Sequence, residues 1–304
     1  MKKLIAYILV IIAIMGCETD AIINLDTKSE TVVTAFIYKD STVWINAYGT
    51  VSYTDTMKYN PLNGLNVTMT VNPPSDGYYT SIGDGKITTR LDNVEMNYGD
   101  SVVIEIYNKD NDETATGGTR ILEPVKIKNI NYTEYILNQK DTVIDLSLSL
   151  DDPAATDDYY QIVARAKETA ENGEQRITPL ECEYNDYIFY AANSSLTTTS
   201  QSSSSSIGLF NDKLFNGKSR HASFRIKKDN IKNAIKNNTS KLIVEVLLYH
   251  HTYDYYNYCY TSRLAQSYII LPVFGITSIH SNIDNGVGIV TGMSFDKMEV
   301  EIAR

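Results

Sequence analysis

Asn63-Gly64-Leu65-Asn66-Val67-Thr68-Met69-Thr70-Val71-Asn72-Pro73-Pro74 is the stretch on which the fold turns. Leu65, Val67, Met69 and Val71 alternate with Asn and Thr, the two-residue period of a strand with one buried and one wetter face. Asn63-Gly64 provides turn chemistry ahead of it, and Pro73-Pro74 removes two ladder donors behind it. The same pattern recurs outward. Thr31 to Tyr38 and Thr42 to Ala47 flank the turn Lys39-Asp40-Ser41. Tyr78 to Ile82, Lys86 to Leu91 and Ser101 to Tyr107 follow, with Gly83-Asp84-Gly85 and Tyr98-Gly99-Asp100 as breakers. Six or seven short strands in about 95 residues predict an immunoglobulin-like β-sandwich over residues 31–124.

Asn108 to Gly118 reads as a charged loop, and the boundary is expected near Pro124, with Val125 to Ile130 opening a second domain over 125–304. Thr142 to Leu150 and Tyr159 to Lys167 read as strands, joined by a loop from Asp151 to Asp158. Residues 171–222 are expected to be an insertion rather than core, because the Ser/Thr tract Ser194 to Ser206 offers little apolar area. Strand character returns at Phe224 to Ile226 and Leu242 to Tyr249, with a helical turn or two over Asp229 to Lys236. Tyr253 to Ser267 changes period: Tyr256, Tyr260 and Leu264 are four apart, with Cys259 and Arg263 beside them, a Tyr-rich helix face packed on a sheet. Gly288 to Ile302 reads as terminal strands broken at Gly292 and Asp296. The expected fold is mainly β: an immunoglobulin-like β-sandwich, then a second β-rich, sandwich-like domain carrying this short helix.

Residues 1–16 read as a signal peptide. Lys2 and Lys3 form a positive start, and Leu4 to Met15 is an apolar run shorter than the roughly 20 residues of a membrane-spanning helix. Ile14-Met15-Gly16-Cys17 resembles the lipobox of bacterial lipoprotein precursors, cut between Gly16 and Cys17, whose thiol then receives lipid. Residues 17–30 become a lipidated tether. Glu18, Thr19 and Asp20 resemble the surface-export signal of some Gram-negative outer-membrane lipoproteins, so the expected location is the outer membrane, facing outward. Cys182 and Cys259 remain, and their spacing leaves a disulfide open.

The 304-residue chain has 27 Lys+Arg against 37 Asp+Glu, a formal charge of −10 that argues against nucleic acid, where basic side chains supply affinity. Its 23 Tyr against one Trp favour strands. Of the four histidines, His250 and His251 are adjacent on a strand end and should face opposite ways, which disfavours joint metal binding. No H-E-x-x-H, zinc-spaced Cys pair, Walker loop or G-x-S-x-G elbow occurs. Gly286, Gly288 and Gly292 miss the dinucleotide spacing, and Asn285-Gly286 reads as a hairpin turn. Asp151, Asp152, Asp157 and Asp158 are candidate calcium ligands without EF-hand spacing. No other metal, no cofactor and no catalytic residue is expected.

Four ordered segments then carry a resemblance: Phe210-Asn-Asp-Lys-Leu-Phe-Asn-Gly-Lys218, Leu242 to Tyr249, Tyr255-Tyr256-Asn-Tyr258 and Ser281-Asn-Ile-Asp-Asn-Gly-Val-Gly-Ile289. With Cys17, Asn24-Leu25-Asp26, Thr31 to Phe36 and the Gly-Asp turn ahead of Ser101 to Ile106, the series resembles the outer-membrane lipoprotein family of domain of unknown function 4249. The resemblance implies a surface-exposed companion of TonB-dependent receptors in nutrient uptake, held by an N-terminal lipid, with no enzymatic activity. An adhesin or a module binding glycan or peptide is the alternative, since Tyr faces stack on sugars. A hydrolase using Asp or Glu is a more distant one.

Overall fold

The computed structural model describes residues 29–304 apart from 40, 52–58, 63, 73–76, 84–87, 110, 155, 170–172, 192–206, 237–240 and 269–277. Gly16, Cys17, most of the tether and the Ser/Thr tract therefore lie outside the described residues. The chain is mainly β and sandwich-like, with two hydrophobic cores.

The first core lies between two sheets. One contains β1 (Thr31–Ile37), β2 (Val43–Gly49) and β5 (Thr88–Leu91). The other contains β3 (Leu65–Asn72), β4 (Gly77–Gly83), β6 (Ser101–Asn108) and β7 (Glu113–Arg120). The alternation seen in the sequence is the packing rule here: Leu65, Val67, Met69 and Val71 are all buried against Val33, Ala35, Val43 and Ile45. Full burial of each such aliphatic side chain contributes about 1.5–3 kcal/mol.

The second core is covered on one side by β8 (Ile127–Leu137), β9 (Asp141–Asp151) and β13 (Ser219–Lys227). On the other stand β10 (Tyr159–Thr169), β11 (Gln175–Pro179), β12 (Leu209–Asn211) and β14 (Lys241–His251). Helices α1 (Tyr187–Ala191) and α2 (Lys228–Ala234) contribute Ile188, Phe189 and Ile231 to this core. The Tyr-rich helix forms as expected, as α3 (Tyr253–Tyr268), and Tyr256 packs with Tyr159 and Leu209.

β15 (Ile283–Asp284) adds Ile283 to the first core beside β7, and the 17-residue β16 (Val287–Ala303) ties the two cores together. β16 first runs parallel to β1, from Val287 beside Val32 to Gly292 beside Ile37. From Met293 onward it is antiparallel to β14, ending with Ala303 beside Lys241. Val290 lies in the first core, whereas Val300 and Ile302 lie in the second. The end of the chain thus completes both units, and the sheet β11-β10-β14-β16-β1-β2-β5 is continuous through them.

Three expectations need correction. The terminal segment is one strand, unbroken at Gly292 and Asp296, because Gly292 admits the Arg120 carbonyl and Asp296 accepts hydrogen bonds from Lys126 and the Ile127 amide. The supposed loop Asn108 to Gly118 contains most of β7, whose inward positions are the small Ala115 and Gly117. A Cβ on Gly117 would come 2.5 Å from Ile283 and 2.7 Å from Val290, so those side chains supply the bulk that the strand lacks. The stretch 171–222 is not peripheral: Leu180, Cys182, Tyr184, Phe189, Phe210 and Phe215 are buried in the second core. Cys182 and Cys259 are free thiols in different clusters.

Candidate functional site

Three chain segments meet where the second core faces the first. β9 runs out into the loop that begins at Asp152, Asp158 ends that loop, and β10 starts at Tyr159. Pairing of β12 with β10, Tyr159 opposite Asn211 and Tyr160 opposite Phe210, fixes the turn that follows β12 against this loop. The Asp212 amide donates to the Asp158 carbonyl at 3.1 Å, and the Gly217 amide donates to Asp152 Oδ2 at 2.7 Å. Gly217 is needed twice over. Its φ is +71°, and a Cβ would come 2.8 Å from that of Ala154.

The result is a buried triad of carboxylates. Asp152, Asp158 and Asp212 are 7%, 4% and 1% exposed, and each places an oxygen within 4.8 Å of the others. The Tyr160 hydroxyl donates to Asp152 Oδ1 at 2.6 Å, and Thr156 donates to Asp158 Oδ2 at 2.8 Å. Asp212 Oδ2 is buried with no hydrogen-bond partner. Among the described residues no Lys or Arg forms an ion pair with any of the three. Burial, reinforced by the neighbouring carboxylates of Asp152 and Asp158, pushes the Asp212 carboxyl up to about 6. Burial also raises Asp152, against the hydrogen bonds from Tyr160 and Gly217. Loss of solvation and like charge both disfavour the ionised forms.

His250 closes the triad on the cleft side. One ring nitrogen lies 2.9 Å from Asp158 Oδ1 and the other 2.8 Å from the Glu123 carbonyl oxygen, and the ring stacks on Tyr160. His250 thus bridges Asp158 to the main chain of the Glu123 segment. His251 points away, to Gln161 and Tyr255, as alternation along a strand demands. Burial drives its pKa down to about 3, leaving a neutral ring.

Beside Asp158 and His250 opens a cleft of about 670 Å³, walled by Tyr98 and Arg120 of the first unit and by Lys126 and Thr156 on the other side; Asp158 is the member of the triad that lines it. Of the four aspartates singled out in the sequence, two belong to this site. Asp151 instead pairs with Lys128 at the surface and bonds Ser219, and Asp157 is exposed. Asp212, Tyr160 and His250 were not foreseen as their companions. The signal for Asp212 lies in Phe210 to Lys218, which in the sequence alone reads only as a family pattern.

Two β-cores sharing one continuous sheet through β16, with a cleft between them that reaches Asp158 of the buried triad, define the class of protein. The family model "Domain of unknown function (DUF4249)" matches residues 19–299, and the chain belongs to that family. No curated protein matches the chain. Among solved structures it is similar to a Parabacteroides merdae β-glucuronidase, at 13% identity over 72% of this chain and 22% of that one, with a TM-score of 0.24. It is also similar to bovine butyrophilin, at 8% identity over 90% and 94% of the two chains, with a TM-score of 0.19. Neither likeness bears on function.

Proposed function

We propose that this protein is a non-enzymatic lipoprotein of the outer membrane, displayed outward and acting as an accessory or binding component beside a TonB-dependent receptor in nutrient uptake. One observation carries the reading: Ile14-Met15-Gly16-Cys17 closes a charged and apolar leader, and the first strand opens at Thr31, soon after the cysteine. Acyl chains on Cys17 supply anchoring of about 0.8 kcal/mol per buried CH₂, so two or more chains hold the protein on the membrane. The receptor partnership rests on the family resemblance.

The test is expression of the full chain in a Gram-negative host fed labelled fatty acid. The wild type is expected to carry label and sediment with outer membranes, while Cys17→Ala is unlabelled and leaves that fraction. An unlabelled wild type overturns the lipoprotein reading. Gentle detergent extraction is expected to co-purify a β-barrel receptor, and a preparation without any barrel removes the companion role.

A glycan-binding role is the second reading, favoured by one exposed aromatic pair. Phe36 and Trp44 face each other across β1 and β2, at 39% and 52% exposure, with the Arg90 guanidinium 5.3 Å over the indole. Flat aromatic faces stack on sugar rings and mark binding surfaces. A glycan array on which wild type binds and Trp44→Ala does not is the expected result under this reading; a blank array removes it.

A further inference from the structure

We propose that Asp152, Asp158 and Asp212 form a calcium site that clasps the loop between β9 and β10 to the turn after β12. Two oxygens bound to one calcium at 2.3–2.6 Å cannot stand more than about 5 Å apart, and these three carboxylates meet that condition mutually. Asp212 supplies the independent sign of a ligand. It is 1% exposed, its carboxylate stands among the other two, and its Oδ2 accepts no hydrogen bond. A buried acceptor with no donor costs stability, more so when charged, and a cation removes that cost.

The donor set selects the ion. It consists of carboxylate oxygens, which suit hard cations rather than thiolate- or imidazole-seeking metals. The nearby imidazole of His250 is already committed to Asp158 and to the Glu123 carbonyl. Magnesium keeps several waters in a strict octahedron, whereas calcium accepts six to eight oxygens in irregular array. Three carboxylates, each more than nine-tenths buried and delivered by two separate loops, fit the less hydrated, more tolerant ion. Among the described residues no Lys or Arg pairs with the three carboxylates, and a divalent cation offsets the negative charge they place together. Asp151 and Asp157, the outer members of the acidic run, stay in solvent.

The full-length protein in detergent, stripped with a chelator and dialysed, is titrated with calcium chloride alone by calorimetry and with terbium by luminescence, which the Tyr160 phenol beside Asp152 can sensitise. Calcium is expected to bind with one site per chain, to displace terbium, to raise the melting temperature, and to outcompete magnesium by about tenfold or more. Asp212→Asn is expected to weaken calcium about tenfold or more, while Asp157→Asn, on the same loop but in solvent, leaves the titration unchanged. The proposal is overturned by no saturable calcium binding or terbium signal from the wild type up to millimolar metal, or by an equal loss in the two variants. A melting temperature that answers to acid but not to calcium also overturns it, because protons alone would then hold the triad. Since the decisive titration uses the wild type, a poorly folding variant does not rescue the idea.

Discussion

Gly288→Ala is expected to lower stability by about 4 kcal/mol or more, a loss reserved for backbone conflicts, buried unpaired charges and large cavities. Gly288 has a φ of +125°, a region open almost only to glycine and costing other residues about 1–3 kcal/mol. Its missing Cβ would stand 1.9 Å from the Val33 carbonyl oxygen and 2.9 Å from the carbonyl carbon. Both atoms are main chain of β1, so no side-chain rotation relieves the overlap. The two strands must separate, and with them the parallel ladder from Val32–Val287 to Ile37–Gly292. Gly118→Ala is the control: its Cβ would meet only the Val102 carbonyl at an ordinary 3.8 Å, and its effect should stay within about 1 kcal/mol. Urea unfolding followed by circular dichroism measures both. Equal midpoints for the two variants would mean that β1 and β16 do not pair in this register.

These glycines also show what the sequence could reveal and where it fell silent. Alternation identifies β1, β2, β3, β6, β9 and β10, because each buries mainly one face made from its own side chains, whereas β14 is legible as an apolar run and is buried on both faces from Val244 to Leu248. It failed on β7, whose inner face is Ala115 and Gly117 and borrows volume from Ile283 and Val290, far along the chain. It failed again on β16, where Gly292 and Asp296 resemble stop signals but answer to Arg120, Lys126 and Ile127 in another segment. β12 is three residues long, too short for any period to register, yet it brings Phe210 into the core and Asp212 to the triad. Asp152 and Asp158 were visible as an acidic loop. What separates them from Asp151 and Asp157 is burial, set by the pairing of β10 with a strand about fifty residues away.

Replacing both cations around Glu245 should be nearly as damaging as the glycine change, and by a different cause. Glu245 lies on β14 with its side chain 1% exposed, bonded to Arg165 Nε at 2.5 Å and Lys297 Nζ at 2.9 Å. Burial pushes its carboxyl up, but the hydrogen bonds from Lys297 and Arg165 overcome that and hold it below the ordinary glutamate value. Glu299 stands directly opposite on β16, a like charge that Lys167 neutralises from β10. Arg165→Met with Lys297→Met keeps the aliphatic contacts and strands Glu245, at a cost of about 3–5 kcal/mol near neutral pH. The pH dependence then reverses sign. In the wild type the folded pKa is depressed, so the contribution of Glu245 is full above the unfolded value of about 4.3 and fades as pH falls through the lower folded one. In the double variant burial acts unopposed and raises the folded pKa, so the penalty is full above that raised value and disappears below the unfolded one as the carboxyl gains its proton. Denaturant midpoints at pH 4 and pH 8 should therefore differ in opposite directions for the two proteins, as far as this residue is concerned. Adding Glu245→Leu should recover most of the loss at pH 8, because an apolar side chain there asks for no partner. If the double variant is as stable as the wild type at pH 8, water reaches Glu245 and the sheet is open at its centre.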